Sequence, residues 1–309
     1  MSEIWTMGEI LVEIMRPEVD MPLDRAGQFL GPFPSGAPAI FIDAAARLGH
    51  SAGIIGGVGQ DGFGDNCLTR LRRDGVNCEF VNVVPNRSTA VAFVAYFGDG
   101  SRRFIYHIDG TPAVQVNLDG LDRIQNARFL HIMGCSLMIN DAFRAQIFEV
   151  AEHFYRHGAQ ISFDPNVRPE LLAGRDILDV VGPILERSSI LLPGISELKL
   201  VTGQDDLAGA VRHAFANPIL QTIVLKRGKA GCTVYTREEE LTIPAYAVEE
   251  IDPTGAGDCF DAGFLCGVLE SRSLLECGQM AAAAGALNAQ AFGPMEGAIS
   301  PESVRALVG

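Results

Sequence analysis

The sequence predicts an α/β fold on a mainly parallel sheet with helices on both faces, carrying a small projecting sheet. Apolar strand-like runs alternate with helical stretches along most of the chain, the pattern of strand–helix–strand units. Two stretches, 15–33 and 90–106, break that rhythm. Near the C-terminus a glycine-rich turn opens directly into an apolar helical run, an arrangement that makes an anion site.

Taken in order, Ile4–Ile14 opens as a strand. Pro38–Leu48 reads as a helix: Ile40, Ala44 and Leu48 share a face, Pro38 sits near its start and Gly49 ends it. Ala52–Ile55 is a strand, Phe63–Asp74 a helix closed by Gly75, and Phe80–Val84 a strand. The rhythm resumes with strand Leu130–Met133, helix Asp141–Arg156 and strand Gln160–Phe163. Helix Ile177–Glu186, strand Ile190–Leu192, helix Leu207–Ala216 and strand Thr222–Leu225 follow, and Met280–Phe292 is an apolar helix ending at Gly293.

Of the two interruptions, Ala90–Phe97 alternates residues and meets Arg102–Tyr106 across Gly98–Ser101, a hairpin signal. Met15–Phe33 has no helical period and is punctuated by Pro17, Pro22, Gly27, Gly31 and Pro32. As surface loops they would leave the apolar hairpin strands uncovered, so a small projecting sheet is the better reading. The expected division is 1–14, 34–89 and 107–309 for the main domain, and 15–33 with 90–106 for the projecting sheet.

Composition narrows the function. A chain of 309 residues, 48% hydrophobic, supports one large domain with an appendage. Its longest apolar runs, such as Ala281–Leu287, are too short to span a bilayer, and the start lacks a secretory pattern. Seven scattered cysteines without C-x-x-C spacing read as buried thiols, so a cytoplasmic location is expected. The net charge of −14 argues against nucleic acid or an anionic membrane as partner. The six histidines show neither metal-ligand spacing nor pairing with a nucleophile.

Asp252-Pro-Thr-Gly255-Ala256-Gly257-Asp258-Cys-Phe-Asp-Ala-Gly263-Phe carries the chemistry. Small residues let the backbone approach a ligand, and a helix start adds N–H groups and a positive dipole end. An acid there is odd for plain anion binding and suits a base that deprotonates a hydroxyl beside a phosphoryl group. A glycine turn with an N-cap aspartate is the bland alternative.

This stretch resembles the C-terminal signature of the ribokinase (PfkB-type) carbohydrate kinases, and similarity runs to about residue 300. The resemblance implies a ribokinase-like fold in which the small sheet is a β-lid over the sugar, ATP and a sugar as substrates, Mg²⁺, and optionally K⁺. It makes Asp258 the general base and Gly255, Ala256, Gly257 and the Asp258 N–H an anion hole. It places Asp252 and Thr254 where related enzymes hold a monovalent cation. Asp261, on the helix behind, is read as solvated or packing. Ser35-Gly36-Ala37-Pro38-Ala39-Ile40 resembles the N-terminal signature, with Gly36 keeping the lid hinge and Ile40 standing where an asparagine grips the sugar. Glu13 holds the position of a sugar-binding aspartate, and Arg103 on the hairpin is assigned to the sugar as well.

Asp164-Pro-Asn166-Val-Arg168 is similar to the D-x-N-x-R segment of hexose and keto-acid kinases, so Asn166 and Arg168 are assigned to substrate or phosphate. Leu192–Glu197 resembles the N-x-x-E motif that organises Mg²⁺ through water, with Glu197 retained and Gly194 in place of asparagine. Lys226-Arg-Gly228-Lys229-Ala-Gly231 resembles a nucleotide-side glycine loop, with Lys226 or Lys229 near the phosphates. Gly57-Val-Gly59-Gln-Asp61-Gly62 formally matches a dinucleotide fingerprint. It does not lie in the first strand–helix turn, and an NAD enzyme would leave the 252–263 motif unexplained.

The expected function is phosphorylation of a primary hydroxyl of a hexose or ketohexose of tagatose or fructose type. The alternatives are 2-keto-3-deoxygluconate, an NAD-dependent oxidoreductase, or a sugar sensor without catalysis. A homodimer through the lid is also expected.

Overall fold

The computed structural model describes residues 2–309. Among them the chain forms a nine-stranded and a four-stranded sheet. The large sheet contains β1 (Ile4–Met7), and the small one opens with β2 (Leu11–Met15) and β3 (Leu30–Ser35). Next come β4 (Ala52–Gly59) and β5 (Asn77–Val84) of the large sheet, then β6 (Ala90–Tyr96) and β7 (Arg102–His107) of the small one. The large sheet continues with β8 (Phe129–Met133), β9 (Gln160–Asp164), β10 (Ser188–Leu191) and β11 (Thr222–Lys226). β12 (Cys232–Tyr235) and β13 (Glu240–Ile243) finish it.

The large sheet runs β13-β12-β11-β10-β9-β8-β1-β4-β5, parallel from β11 to β5 and antiparallel at the β12–β13 edge. β1, β4 and β8 are buried along their whole length because helices cover both faces, which is why they read as mostly apolar runs, interrupted only by Thr6 and His131 among polar side chains. One core fills each face: Phe41, Phe264 and the alanines of the helix Leu274–Ala289 on one side, Phe143, Phe154 and Ile184 on the other. From β1 the chain works outward through β4 to β5, then returns to β8 on β1's other side. The order therefore reverses between β1 and β8, the place where open α/β sheets leave a crevice at their carboxyl ends. No helix among the described residues is long and apolar enough to cross a membrane.

The small sheet has the order β3-β2-β6-β7, with β2 and β6 parallel and both outer pairs antiparallel. The single strand expected over Ile4–Ile14 is thus two strands in two sheets. Gly8-Glu9-Ile10 breaks the run, and Leu11–Met15 pairs with Ala90–Val94 rather than continuing β1. The expected division after residue 14 falls inside β2, because two apolar strands joined by three residues carry one uninterrupted signal. The last long helix, expected over Met280–Phe292, runs Leu274–Ala289 and starts at a Ser273–Glu276 capping box.

Candidate active site

Gly255 turns the chain into the helix Ala256–Leu269 with a left-handed φ of 79°. A Cβ there would lie 2.2 Å from the Pro294 carbonyl oxygen and 3.1 Å from Ile40 Cγ2, so only glycine fits. The Ala256 N–H turns back to Pro253 O at 3.2 Å, a reading the sequence missed when it placed that group in the anion hole. The Gly257 and Asp258 N–H groups remain in the first turn, where a helix offers no acceptor of its own. Around Gly257 the space is open, with Lys226 Nζ 3.9 Å from where a Cβ would stand.

Asp258 follows in that turn with 6% of its surface exposed, and its Oδ1 accepts from Asn166 Nδ2 at 3.3 Å. Burial pushes its carboxyl up to about 7; the Asp164 charge adds to this, and Arg168 and Lys226 oppose it. A buried acid titrating near neutrality is suited to taking a proton from a hydroxyl.

The carboxyl ends of the strands supply the remaining groups. After β1 comes Glu9, buried, taking hydrogen bonds from Ser136 Oγ at 2.5 Å and Cys135 Sγ at 3.3 Å. Burial raises its pKa, and the Ser136 bond opposes the rise. β9 ends in Asp164 and β11 in Lys226, whose Nζ donates to Asp164 Oδ2 at 2.7 Å and to Asp261 at 3.1 Å. Asp261 is 0% exposed and belongs to this charged cluster, not to solvent. Burial works against charge on both acids; Lys226 nonetheless holds Asp164 below the usual range, while burial lifts Asp261 well above it.

Glu197 sits on the site side of the helix Ile195–Thr202 with both oxygens engaged, Oε1 by Val167 N at 2.8 Å and Oε2 by Gly194 N at 2.7 Å. The backbone N–H of Gly194 makes this bond, so the missing asparagine amide does not unseat the acid.

On the lid side Glu13 is 7% exposed, and Ser35 Oγ donates to its Oε1 at 2.8 Å. Burial raises it to about 7 against the Ser35 hydrogen bond. Arg102 lines the cavity with Phe104 and Tyr106, whereas Arg103 lies exposed on the opposite face of β7. The structure therefore does not bring Arg103 to the cavity, and Arg102 stands there instead. Alternation decides it, since Arg102, Phe104 and Tyr106 pair with Tyr96, Val94 and Ala92. Gly36, with φ 104°, caps the helix Ala37–Arg47 where a Cβ would lie 2.4 Å from Glu9 O.

These groups line two cavities. The first, about 160 Å³, is walled by Glu13, Ile40, Arg102, Asn166, Arg168 and Asp258. The second, about 570 Å³, lies between the Gly228–Gly231 loop, Ala245–Val248 and the helix Leu274–Ala289, and has an apolar lining. Lys226, Pro253 and Gly257 border both, so the cavities meet at the start of the Asp258 helix. Gly228, Lys229 and Gly231 line the second, with the Lys229 side chain exposed and paired with Glu250. Gly57 and Gly59 lie inside β4, where a Cβ would strike Pro112 O at 2.1 Å and Arg87 O at 2.2 Å. Protein backbone fills the space a dinucleotide pyrophosphate would need.

Among the described residues no three His, Cys, Asp or Glu side chains gather as a metal-binding group. Mg²⁺ asks for no such cage; it is commonly held by one or two carboxylates, waters and substrate phosphates. Glu197 fits that part, since each of its oxygens accepts one N–H and keeps a lone pair for a water.

The family described as pfkB family carbohydrate kinase matches residues 1–301. Fructokinase-1 of Oryza sativa subsp. japonica is 30% identical over 276 residues, covering 88% of this chain and 84% of its own. A candidate ribokinase II from E. coli, solved with ATP and Mg²⁺, is 36% identical with a TM-score of 0.91, covering 100% of this chain and 99% of its own. A fructokinase double mutant from Vibrio cholerae O395, with fructose, ADP and potassium bound, is 25% identical with a TM-score of 0.86 over 100% and 99%.

Proposed function

The chain belongs to the pfkB family of carbohydrate kinases, and on that premise we propose that it phosphorylates a primary hydroxyl of a ketohexose, of fructose or tagatose type. One observation carries the reading. Asp258 shares the wall of the smaller cavity with two buried acceptors, Glu13 Oε2 and Asn166 Oδ1, that have no partner among the described residues. Buried acceptors without donors are costly, and a polyhydroxyl ligand supplies the donors. The likeness to fructokinases supports the ketose.

In this reading the sugar fills the smaller cavity and ATP the larger, with its terminal phosphate over Gly257. Asp258 accepts the proton of the attacking hydroxyl, a transfer favoured by a carboxyl titrating near 7. The Gly257 and Asp258 N–H groups face the phosphoryl oxygens as charge gathers on them. Lys226, anchored by Asp164 and Asp261, stands on the same border and adds positive charge. Mg²⁺, through Glu197 and water, would supply neutralisation of the phosphate oxygens. The small sheet acts as the lid that excludes water from the phosphoryl group. Its other face carries Phe29, Phe93 and the exposed Ile105, which supports pairing of two copies there.

A second reading, 2-keto-3-deoxygluconate, is favoured by Arg102 and Arg168, two guanidiniums on the sugar wall that suit a carboxylate. A panel of fructose, tagatose and 2-keto-3-deoxygluconate with Mg·ATP and coupled ADP detection separates these. The highest kcat/KM is expected on a ketohexose; a preference for the keto acid installs the second reading. Turnover of none of them would leave a sugar sensor.

A further inference from the structure

The potassium-bound fructokinase raises the place of a monovalent cation, and here Asp252 is the acid expected to hold one. The residues present do not fit that group. Asp252 is 1% exposed, and its Oδ1 takes hydrogen bonds from the Tyr96 hydroxyl at 3.1 Å and from Thr254 N at 3.0 Å. Its Oδ2 takes one from Gly293 N at 3.0 Å. The neighbouring carbonyls are satisfied as well. Asn288, 0% exposed, donates its amide to Thr254 O at 2.8 Å and to Pro294 O at 3.1 Å. Ala289 O accepts from Ile251 N at 2.8 Å and Asp252 N at 3.1 Å.

A cation site gathers several bare oxygens around one point; here the Asn288 amide nitrogen already stands between Thr254 O and Pro294 O, and Asp252 Oδ1 is taken by two donors. The orientation of the Asn288 amide follows from the same geometry. Reversed, it would set a third bare oxygen within hydrogen-bond distance of two carbonyls. As oriented, it leaves only its own Oδ1 without a partner among the described residues.

We propose that protein N–H and O–H donors, chiefly the Asn288 amide and the Tyr96 hydroxyl, hold the 252–255 turn in place of a monovalent cation, so that phosphoryl transfer here needs no K⁺. The inference rests on the reading of that turn as the phosphoryl anion hole. The turn is shaped from behind: Pro294 O, which Asn288 holds, is also the atom against which Gly255 packs. Tyr96 and Arg102, both on small-sheet strands, meet Thr254 Oγ1 at 2.9 Å and 3.4 Å. The support therefore comes from the lid as well as from the core.

The test uses the full chain and thallium(I) as the probe for K⁺, read by ²⁰⁵Tl NMR, with melting midpoints in KCl and in tetramethylammonium chloride at equal ionic strength. No saturable Tl⁺ binding and equal midpoints are expected. With the best sugar of the panel, rates should agree between the two salts to within about twofold. Saturable Tl⁺ binding that Asp252→Asn abolishes, or K⁺ activation of about tenfold or more, overturns the proposal. Asn288→Asp exchanges the donor for an acceptor and should create Tl⁺ binding and K⁺-dependent melting. A folded Asn288→Asp chain indifferent to both ions overturns the role given to the amide. Should that variant not fold, the unaltered chain's Tl⁺ titration still decides. Failure to phosphorylate any sugar in either salt strikes the kinase reading, while Tl⁺ binding and melting still decide the cation.

Discussion

Replacing Asp258 by asparagine should make the protein both inactive and more stable. Burial raises this carboxyl from an ordinary 3.8 to about 7. The folded chain therefore holds a proton that the unfolded chain has released, and stability falls as pH climbs between those two values. Above the upper value the loss is complete, about 4 kcal/mol for a difference of this size. Asparagine has the same shape, carries no charge at any pH and still accepts from Asn166 Nδ2, the bond made at 3.3 Å. Urea denaturation of both proteins across the pH range measures the effect. The advantage of Asp258→Asn should be near zero at about pH 4 and reach about 4 kcal/mol at about pH 8. Turnover in the same samples should fall by about 10²–10⁴-fold, the loss of a positioned base. If the variant is no more stable at the alkaline end, Asp258 is not held out of water and its role as a base near neutrality loses its physical ground.

The acid limb of kcat/KM should rise with pH with unit slope and a midpoint near 7, because only ionised Asp258 accepts the proton; a flat limb between about pH 5 and about pH 8 contradicts this. Ile40 lines the sugar cavity and packs against the Gly255 position, so Ile40→Asn should reorder kcat/KM across epimeric sugars by about 1–3 kcal/mol for those whose hydroxyl gains a partner. A uniform change across the panel would mean that residue 40 does not face the sugar. Gly255→Ala forces a side chain toward Pro294 O at 2.2 Å in a left-handed turn, and kcat should drop by at least about 10²-fold as the anion hole is displaced. An unaltered kcat in that variant would detach the turn from catalysis.

The strand–helix alternation was legible because parallel strands buried on both faces and amphipathic helices have different periods. The 252–258 turn was legible for a similar reason: its glycines, acid and helix are contiguous. What escaped depends on pairing across long separations. Nothing local marks Lys226 as the partner of Asp164 and Asp261, which lie 62 and 35 residues away. Glu9 falls inside the run that reads as one strand, and nothing local sets Asn288 apart within its helix. The choice between Arg102 and Arg103 turns on strand parity. β6 reads Ala-Val-Ala-Phe-Val-Ala-Tyr, apolar on both faces, so its inward side could not be read until the register was known. Tyr96 was hidden the same way, since its hydroxyl points back across the interface to Asp252.

The two connections that lead into and out of the first half of the small sheet, Gly8–Ile10 and Ser35–Gly36, lie against each other, with Gly36 pressed onto the carbonyl of Glu9. Backbone lies directly on backbone there, without a side-chain wedge between the plies, so the joint resists sliding more than it resists bending. The restoring force for any opening then sits at the far rim, where Tyr96 and Arg102 reach Thr254 and Phe33 meets Phe292 edge to face at 5.8 Å. In the proposed lid role, the small sheet is a door with a soft pivot and a distant catch. Opening it must break the catch contacts, which lie on the underside of the turn proposed to hold the phosphoryl group.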